Sequence, residues 1–307
     1  MSALIFIVWA FISCDYTSGK ESPPHGVSLD SVKNKKEEVV EDTIPEPLVL
    51  TYRLDSIVSI QHRDSLLGLY AENEQRIILL LNRIEKNKIK EGSRVIIPDT
   101  LLNDLLVYSP MPHHLSELDA IPKAVLIAQR IQAFGLYENG QLIRWGPVSS
   151  GKQSTPTPNG LHYGNYKAKR KVSTVNSSWI LPYYFNFMNF EGVGVHQYLL
   201  PGFPASHACV RLDMDDAMFI YDWAKQWQLD SRGRTVEKNG TPFMVFGVYD
   251  FEAQSPPWMA MATDPEANFL NSAEMETLSD YVKAYKKDPK NVNDEKEQEI
   301  KDLLVGL

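Results

Sequence analysis

Between residues 121 and 250 the apolar positions come in short runs divided by turn signals, and the runs are rich in β-branched and aromatic residues. Ala124 to Ala128 and Ala133 to Tyr137 are the first two; Glu138-Asn139-Gly140-Gln141 then leads into Leu142 to Trp145. Asn-Gly accepts the positive φ angles of a type I′ turn, so this stretch predicts a β-hairpin. A breaker-rich loop follows over 148–160, further strands are expected near 161–167, 192–197 and 243–249, and one helix over 213–228. Many short strands with tight turns predict a mainly β body with some α, an antiparallel β sandwich or barrel.

The flanking segments have other patterns. In 48–100, Tyr52, Leu54, Ile57, Val58 and Ile60 predict a strand region, 65–70 and 76–84 have helical character, and Gly92 precedes a short strand that Pro98 ends. This small α+β module, ordered strand, helix, helix, strand, with Arg63-Asp64-Ser65-Leu66 and a terminal Ile97-Pro98, resembles a degenerate lysin motif. The resemblance implies contact with glycan strands; the other reading is a spacer packed against the body. Residues 264–307 carry 11 acids and 6 bases, with Leu278, Val282 and Tyr285, then Ile300, Leu303 and Leu304, at helical spacing, which predicts an acidic helical tail. Residues 15–47 offer little apolar surface and read as a tether.

Residues 1–13 are almost wholly apolar and end at Ser13-Cys14. The run is too short to span a bilayer but suits the apolar region of an export signal. Ser13-Cys14 resembles a bacterial lipobox, which implies Cys14 as a lipid attachment point and a periplasmic or cell-envelope location; a plain secretory signal or a buried strand are the other readings. No basic residue precedes the run, and Phe11 stands where leucine is usual.

Composition narrows the function. A net charge of −8 argues against general nucleic-acid binding, and two cysteines form neither a disulfide framework nor a thiolate-rich zinc site. Within 121–250 there are 13 bases against 9 acids, an excess that suits anionic substrates.

The chemistry gathers at Gly194-Val195-His196-Gln197 and at Pro201 to Leu212, which reads Pro-Gly-Phe-Pro-Ala-Ser-His-Ala-Cys-Val-Arg-Leu. The thiol of Cys209 lies two residues from His207 and thirteen from His196. A cysteine becomes a strong nucleophile as thiolate, and a nearby imidazole can take its proton. Arg211 and a helix starting near Asp213 would add positive potential. A lone cysteine is more often a small buried hydrophobe. His162, His113 and His114 read as surface or structural, and Asp215 and Asp216 as acids of a helix N-terminus.

The longer string resembles the signature of the L,D-transpeptidases (the YkuD-like catalytic domain): a histidine, a loop, then Ser/Thr-His-Gly-Cys and commonly Val-Arg-Leu. Gly151 with Thr157-Pro158-Asn159-Gly160, and Leu181-Pro182-Tyr183-Tyr184, match other segments of that family in order. The resemblance implies Cys209 as nucleophile, His196 as proton donor and acceptor, and His207 as the residue shaping the site. It implies Ser206, Ala208 and Arg211 as loop-positioning and substrate-contacting residues. The reaction implied joins peptidoglycan stem peptides through a thioester, with neither metal nor organic cofactor; water as acceptor would make a carboxypeptidase, a protein lysine a tethering enzyme, and a decayed site a non-catalytic wall-binding lipoprotein. Two departures stand out. The loop from His196 to Ser206 is shorter than usual, and Ala208 replaces glycine, so position 208 is not expected to need a glycine-only conformation.

Overall fold

The computed structural model describes residues 50–291. The chain divides into two units, Met1–Pro47 and Leu48–Leu307. The export segment 1–14 with Cys14, the tether 15–47 and the apolar positions Ile300, Leu303 and Leu304 lie outside the described residues.

The second unit opens with β1 (Tyr52–Ser56), α1 (Ile60–Leu67), α2 (Glu72–Leu81) and β2 (Arg94–Pro98), and β1 pairs antiparallel with β2. Both helices start about a turn earlier than the apolar spacing predicts, because their first turns are mostly polar and carry little periodic signal; Val58 and Ile60, read with the strand, lie beyond β1, and Ile60 opens α1 instead. Ser59 caps α1 by accepting the amide of His62 at 3.0 Å, and Glu74 accepts that of Ala71 at 2.8 Å ahead of α2. After α2 the chain turns sharply: Arg83 takes φ 53° and is fully buried. Its guanidinium lies 4.8 Å from the ring centre of Trp258 and 5.8 Å from that of Trp145, and donates to the carbonyls of Ile131 (3.2 Å) and Leu81. The small module therefore shares a core with residues of the rest of this unit, with Tyr52, Ile77, Leu81 and Ile96 packed among Tyr108, Trp145 and Trp258.

The body comprises β3 (Ala124–Ala128), β4 (Ala133–Glu138), β5 (Gln141–Pro147), β6 (Gly160–Tyr163), β7 (Lys167–Val172), β8 (Ile180–Met188), β9 (Val193–Gln197) and β10 (Val210–Leu212). Then come α3 (Met214–Trp223), the short β11 (Gln228–Leu229) and β12 (Val236–Lys238), β13 (Pro242–Phe246) and α4 (Ser272–Lys287). Five strands form one sheet in the order β5-β4-β3-β13-β6, and four form another in the order β10-β9-β8-β7. The pairings are mostly antiparallel, with one parallel pair in each sheet, β3 with β13 and β9 with β10, and neither sheet closes into a barrel. The hairpin between β4 and β5 turns at Asn139 (φ 45°) and Gly140 (φ 76°), as the Asn-Gly step predicts.

Every residue of β3 is buried because its two faces enter two cores. Val125 and Ile127 face the layer between the sheets, with Phe134, Phe185, Val195, Val210 and the α3 residues Ala217 and Ile220. Leu126 and Ala128 face the other way, under Leu278, Val282 and Tyr285 of α4. The acidic tail predicted over 264–307 thus contains a structural helix, capped by Asn271 and Glu274, and Glu274 also pairs with Arg130 at 2.8 Å. α3 is shorter than the predicted 213–228: Lys167 binds the carbonyls of Tyr221 and Ala224, the chain leaves the helix in extended form, and Gln228 enters a strand. Among the described residues no helix is long and apolar enough to cross a membrane.

Candidate active site

The parallel pair β9–β10 organises the site. Its register sets Arg211 opposite His196 and Val210 opposite Val195. Cys209 immediately precedes β10, so side chains two residues apart, Cys209 and Arg211, come to the side that holds His196. A cavity of about 110 Å³, room for several waters, is lined by all six of Cys209, His196, His207, Ser206, Ala208 and Arg211.

The thiol of Cys209 donates to the carbonyl of Gly192 at 3.8 Å. Burial pushes its pKa up, opposed by the amide of Gly194 and the charges of Arg211 and Lys171, so the resting group is a thiol. His196 is 3% exposed, and burial, reinforced by Arg211, pulls its pKa down to about 4 against the bond to Gln197. Its Nδ1 lies 2.9 Å from the Gln197 carbonyl, which only accepts, so Nδ1 carries the proton and Nε2 keeps a basic lone pair. A neutral thiol and a neutral imidazole therefore share the cavity near pH 7.

His207 has a different environment. Lys152 lies 3.2 Å from Nε2 and must donate to it, which places the ring proton on Nδ1; that nitrogen is buried with no hydrogen-bond partner. The Trp179 ring lies 5.2 Å away. Burial first, then Lys152 and Arg211, hold His207 below the usual histidine pKa. Ser206 is buried; its amide donates to the Ser150 carbonyl at 3.0 Å and its own carbonyl accepts from Lys152 and Thr155. Arg211 directs its guanidinium to the carbonyls of Ala205 (2.8 Å) and Leu199 and stacks 4.8 Å over Tyr198, so its side chain braces the loop.

Ala208 departs from expectation. Its φ is +74°, in the left-handed region, so the position does demand the conformation that glycine adopts freely. Thr157 holds it there: its hydroxyl donates to the Ala208 carbonyl at 2.7 Å and accepts the Gly151 amide at 2.9 Å. Gly151 has no room for a side chain, since a Cβ would lie 2.3 Å from the Thr155 carbonyl. Beside this turn the amides of His207, Ala208 and Cys209 donate no hydrogen bond among the described residues. Ala208→Gly should therefore stabilise the protein by about 1 kcal/mol, read as a higher denaturant midpoint at unchanged slope.

Sequence reasoning missed several contributors. Lys152 sets the tautomer of His207, Gly192 supplies the thiol's acceptor, and Tyr184 donates to that same carbonyl at 2.7 Å while its hydroxyl accepts from Asn186. Tyr184 lies in the Leu-Pro-Tyr-Tyr segment, which was the available signal; Gly192 acts through its backbone and leaves none. His113, bonded to the Leu106 carbonyl, and His114, bonded to Asp119, do not line the cavity, and His162 packs on Phe187. Asp216 pairs with Arg144 at 2.6 Å and Asp215 with Arg76 at 2.7 Å, so these acids are engaged in ion pairs. Among the described residues no three His, Cys, Asp or Glu side chains are placed to hold a metal ion.

Residues 123–245 match the YkuD family, the L,D-transpeptidase catalytic domain. Among solved structures, the chain is similar to an L,D-transpeptidase from Stackebrandtia nassauensis, at 25% identity and TM-score 0.34, over 42% of this chain and 57% of that one. It is similar to L,D-transpeptidase 1 of Mycobacterium tuberculosis at 25% identity and TM-score 0.31, over 41% and 63% of the two chains. For an L,D-transpeptidase fragment from Xylanimonas cellulosilytica the values are 21% and 0.39, over 66% and 100%. The match thus spans less than two thirds of the length of the first two. No curated protein matches.

Proposed function

We propose that this protein is a peptidoglycan L,D-transpeptidase, acting outside the cytoplasm on the stem peptides of the cell wall. The observation that carries the reading is the meeting, in one cavity, of the Cys209 thiol, a neutral His196 and a turn whose three amides are unspent.

The chemistry runs through those groups. Cys209 Sγ attacks the carbonyl carbon between an L-residue and the following D-residue, and its proton passes to Nε2 of His196. The carbonyl oxygen becomes an oxyanion facing the amides of His207, Ala208 and Cys209, donors already oriented by the strained turn. The C–N bond breaks, the D-amino acid leaves with the proton from His196, and a thioester remains on Cys209. The amine of a second stem attacks that thioester, gives its proton to His196 and releases the sulfur, which is reprotonated. Atoms and charge balance at each step with groups present in the chain and its two substrates.

Purified protein incubated with disaccharide-tetrapeptides and analysed by mass spectrometry should yield cross-linked dimers together with free D-amino acid. Tripeptides without dimers would replace the amine by water as acceptor, and unchanged tetrapeptides would overturn the reading.

A further inference from the structure

The loop from Tyr198 to Cys209 connects the base-bearing strand β9 to the nucleophile, and it is fastened on two sides. Toward the body, Ser149 Oγ accepts the Ala205 amide at 3.1 Å and donates to the Phe203 carbonyl at 2.8 Å, and the Ser206 amide binds the Ser150 carbonyl. The start of the loop, just after β9, is held by the upstream module instead. Ile84 and Pro201 form an antiparallel bridge, and the Glu85 amide donates to the Leu200 carbonyl at 3.0 Å. The Leu200 amide donates in return to Glu85 Oε1 at 3.2 Å.

This reciprocal clamp has a rigid root. Residues 84 and 85 come directly after Arg83, whose buried guanidinium is fixed between Trp145 and Trp258 and by the Ile131 carbonyl. Glu85 therefore transmits the position of the body's own core, through the module, to the β9 end of the loop that carries Cys209.

We propose that Glu85 is a positioning residue for the reaction: by holding Leu200 at the start of the loop, while Ser149 and Ser150 hold Phe203 to Ser206, it helps set where His207, Ala208 and Cys209 stand, so the segment upstream of the catalytic body is part of the catalytic apparatus. The proposal rests on the reading of Cys209 as nucleophile for its kinetic consequence but not for the clamp itself. Small misplacements of a loop bearing a nucleophile and oxyanion donors have large kinetic effects, and the bond lost is to a carboxylate.

The test compares Glu85→Ala and Glu85→Gln in the full chain. Hydrogen exchange should rise in Glu85→Ala at the Leu200 amide and its neighbours and stay unchanged in β3, β4 and β13. Acylation of Cys209 by a tetrapeptide should slow about tenfold with KM unchanged. Glu85→Gln keeps an oxygen acceptor and should restore both. Exchange at Leu200 unchanged in Glu85→Ala, or Glu85→Gln as impaired as Glu85→Ala, would overturn the proposal. Absence of acylation in the unsubstituted protein would overturn the transpeptidase reading instead, and the exchange comparison would still decide the clamp.

Discussion

Replacing Cys209 by alanine should abolish capture of the donor peptide, lowering turnover by more than about 10⁴-fold, because among the described residues Cys209 supplies the only thiol in the cavity. The fold should survive. The thiol's hydrogen bond is the 3.8 Å contact to Gly192, and an alanine side chain fits wherever a cysteine does. Intact-mass spectrometry after incubation with a tetrapeptide should show the acyl adduct on the unsubstituted protein and none on the variant, with the two melting together. An adduct on Cys209→Ala would refute the mechanism.

His196→Ala should cost about 10²- to 10⁴-fold in acylation, the range for a lost general base, and the shape of its pH profile carries more information than the size of the loss. The unsubstituted enzyme pairs a neutral imidazole, with its pKa pulled down to about 4, with a thiol whose pKa burial pushes up. Its acylation rate should rise as pH passes upward through about 4 and then level off across the neutral range, since the base is already free. Without His196 only thiolate formed by bulk deprotonation can attack, so the residual rate should climb about tenfold per pH unit toward the thiol pKa. A bell centred near neutrality in the unsubstituted enzyme would instead indicate a preformed thiolate–imidazolium pair. The same shift has a stability cost of known sign. A histidine held neutral by burial favours the fold above pH 6.5, and that contribution, about 3 kcal/mol, is lost between 6.5 and about 4. Circular dichroism over this range separates loss of the base from loss of the fold.

What could be read from the residues tracked how local the cause was. The β4–β5 hairpin was legible because Asn139-Gly140 determines its turn within two residues. The Leu278, Val282, Tyr285 spacing marked a helix, although spacing could not say that β3 and β13 lie beneath it. The parallel pairing of β9 with β10 was not legible, since alternation tells which residues share a face and not which strand lies alongside. Yet that pairing brings Cys209 and His196 together, and only the extended match to a known catalytic string supplied the link. Ala208 misled for a physical reason: an alanine ordinarily marks unstrained backbone, and here the hydroxyl of Thr157, 51 residues away in the chain, helps hold it otherwise. Arg83 gives no signal in the sequence, because nothing local marks a charged residue at the end of an apolar helix as fully buried.

Arg83 also bears on how the protein comes apart. Among the described residues no carboxylate pairs with it; two indole rings and the carbonyls of Ile131 and Leu81 replace its hydration, and Nη2 is buried with no hydrogen-bond partner. Such a cation cannot be returned to water by degrees. Any opening between the upstream module and the β body would uncover Trp145 and Trp258 at the same moment that it frees the charge. The residue thus acts as a rivet between two segments of different architecture, and unfolding of the upstream module and the β body is expected as one transition, with the Tyr198–Cys209 loop lost in the same step.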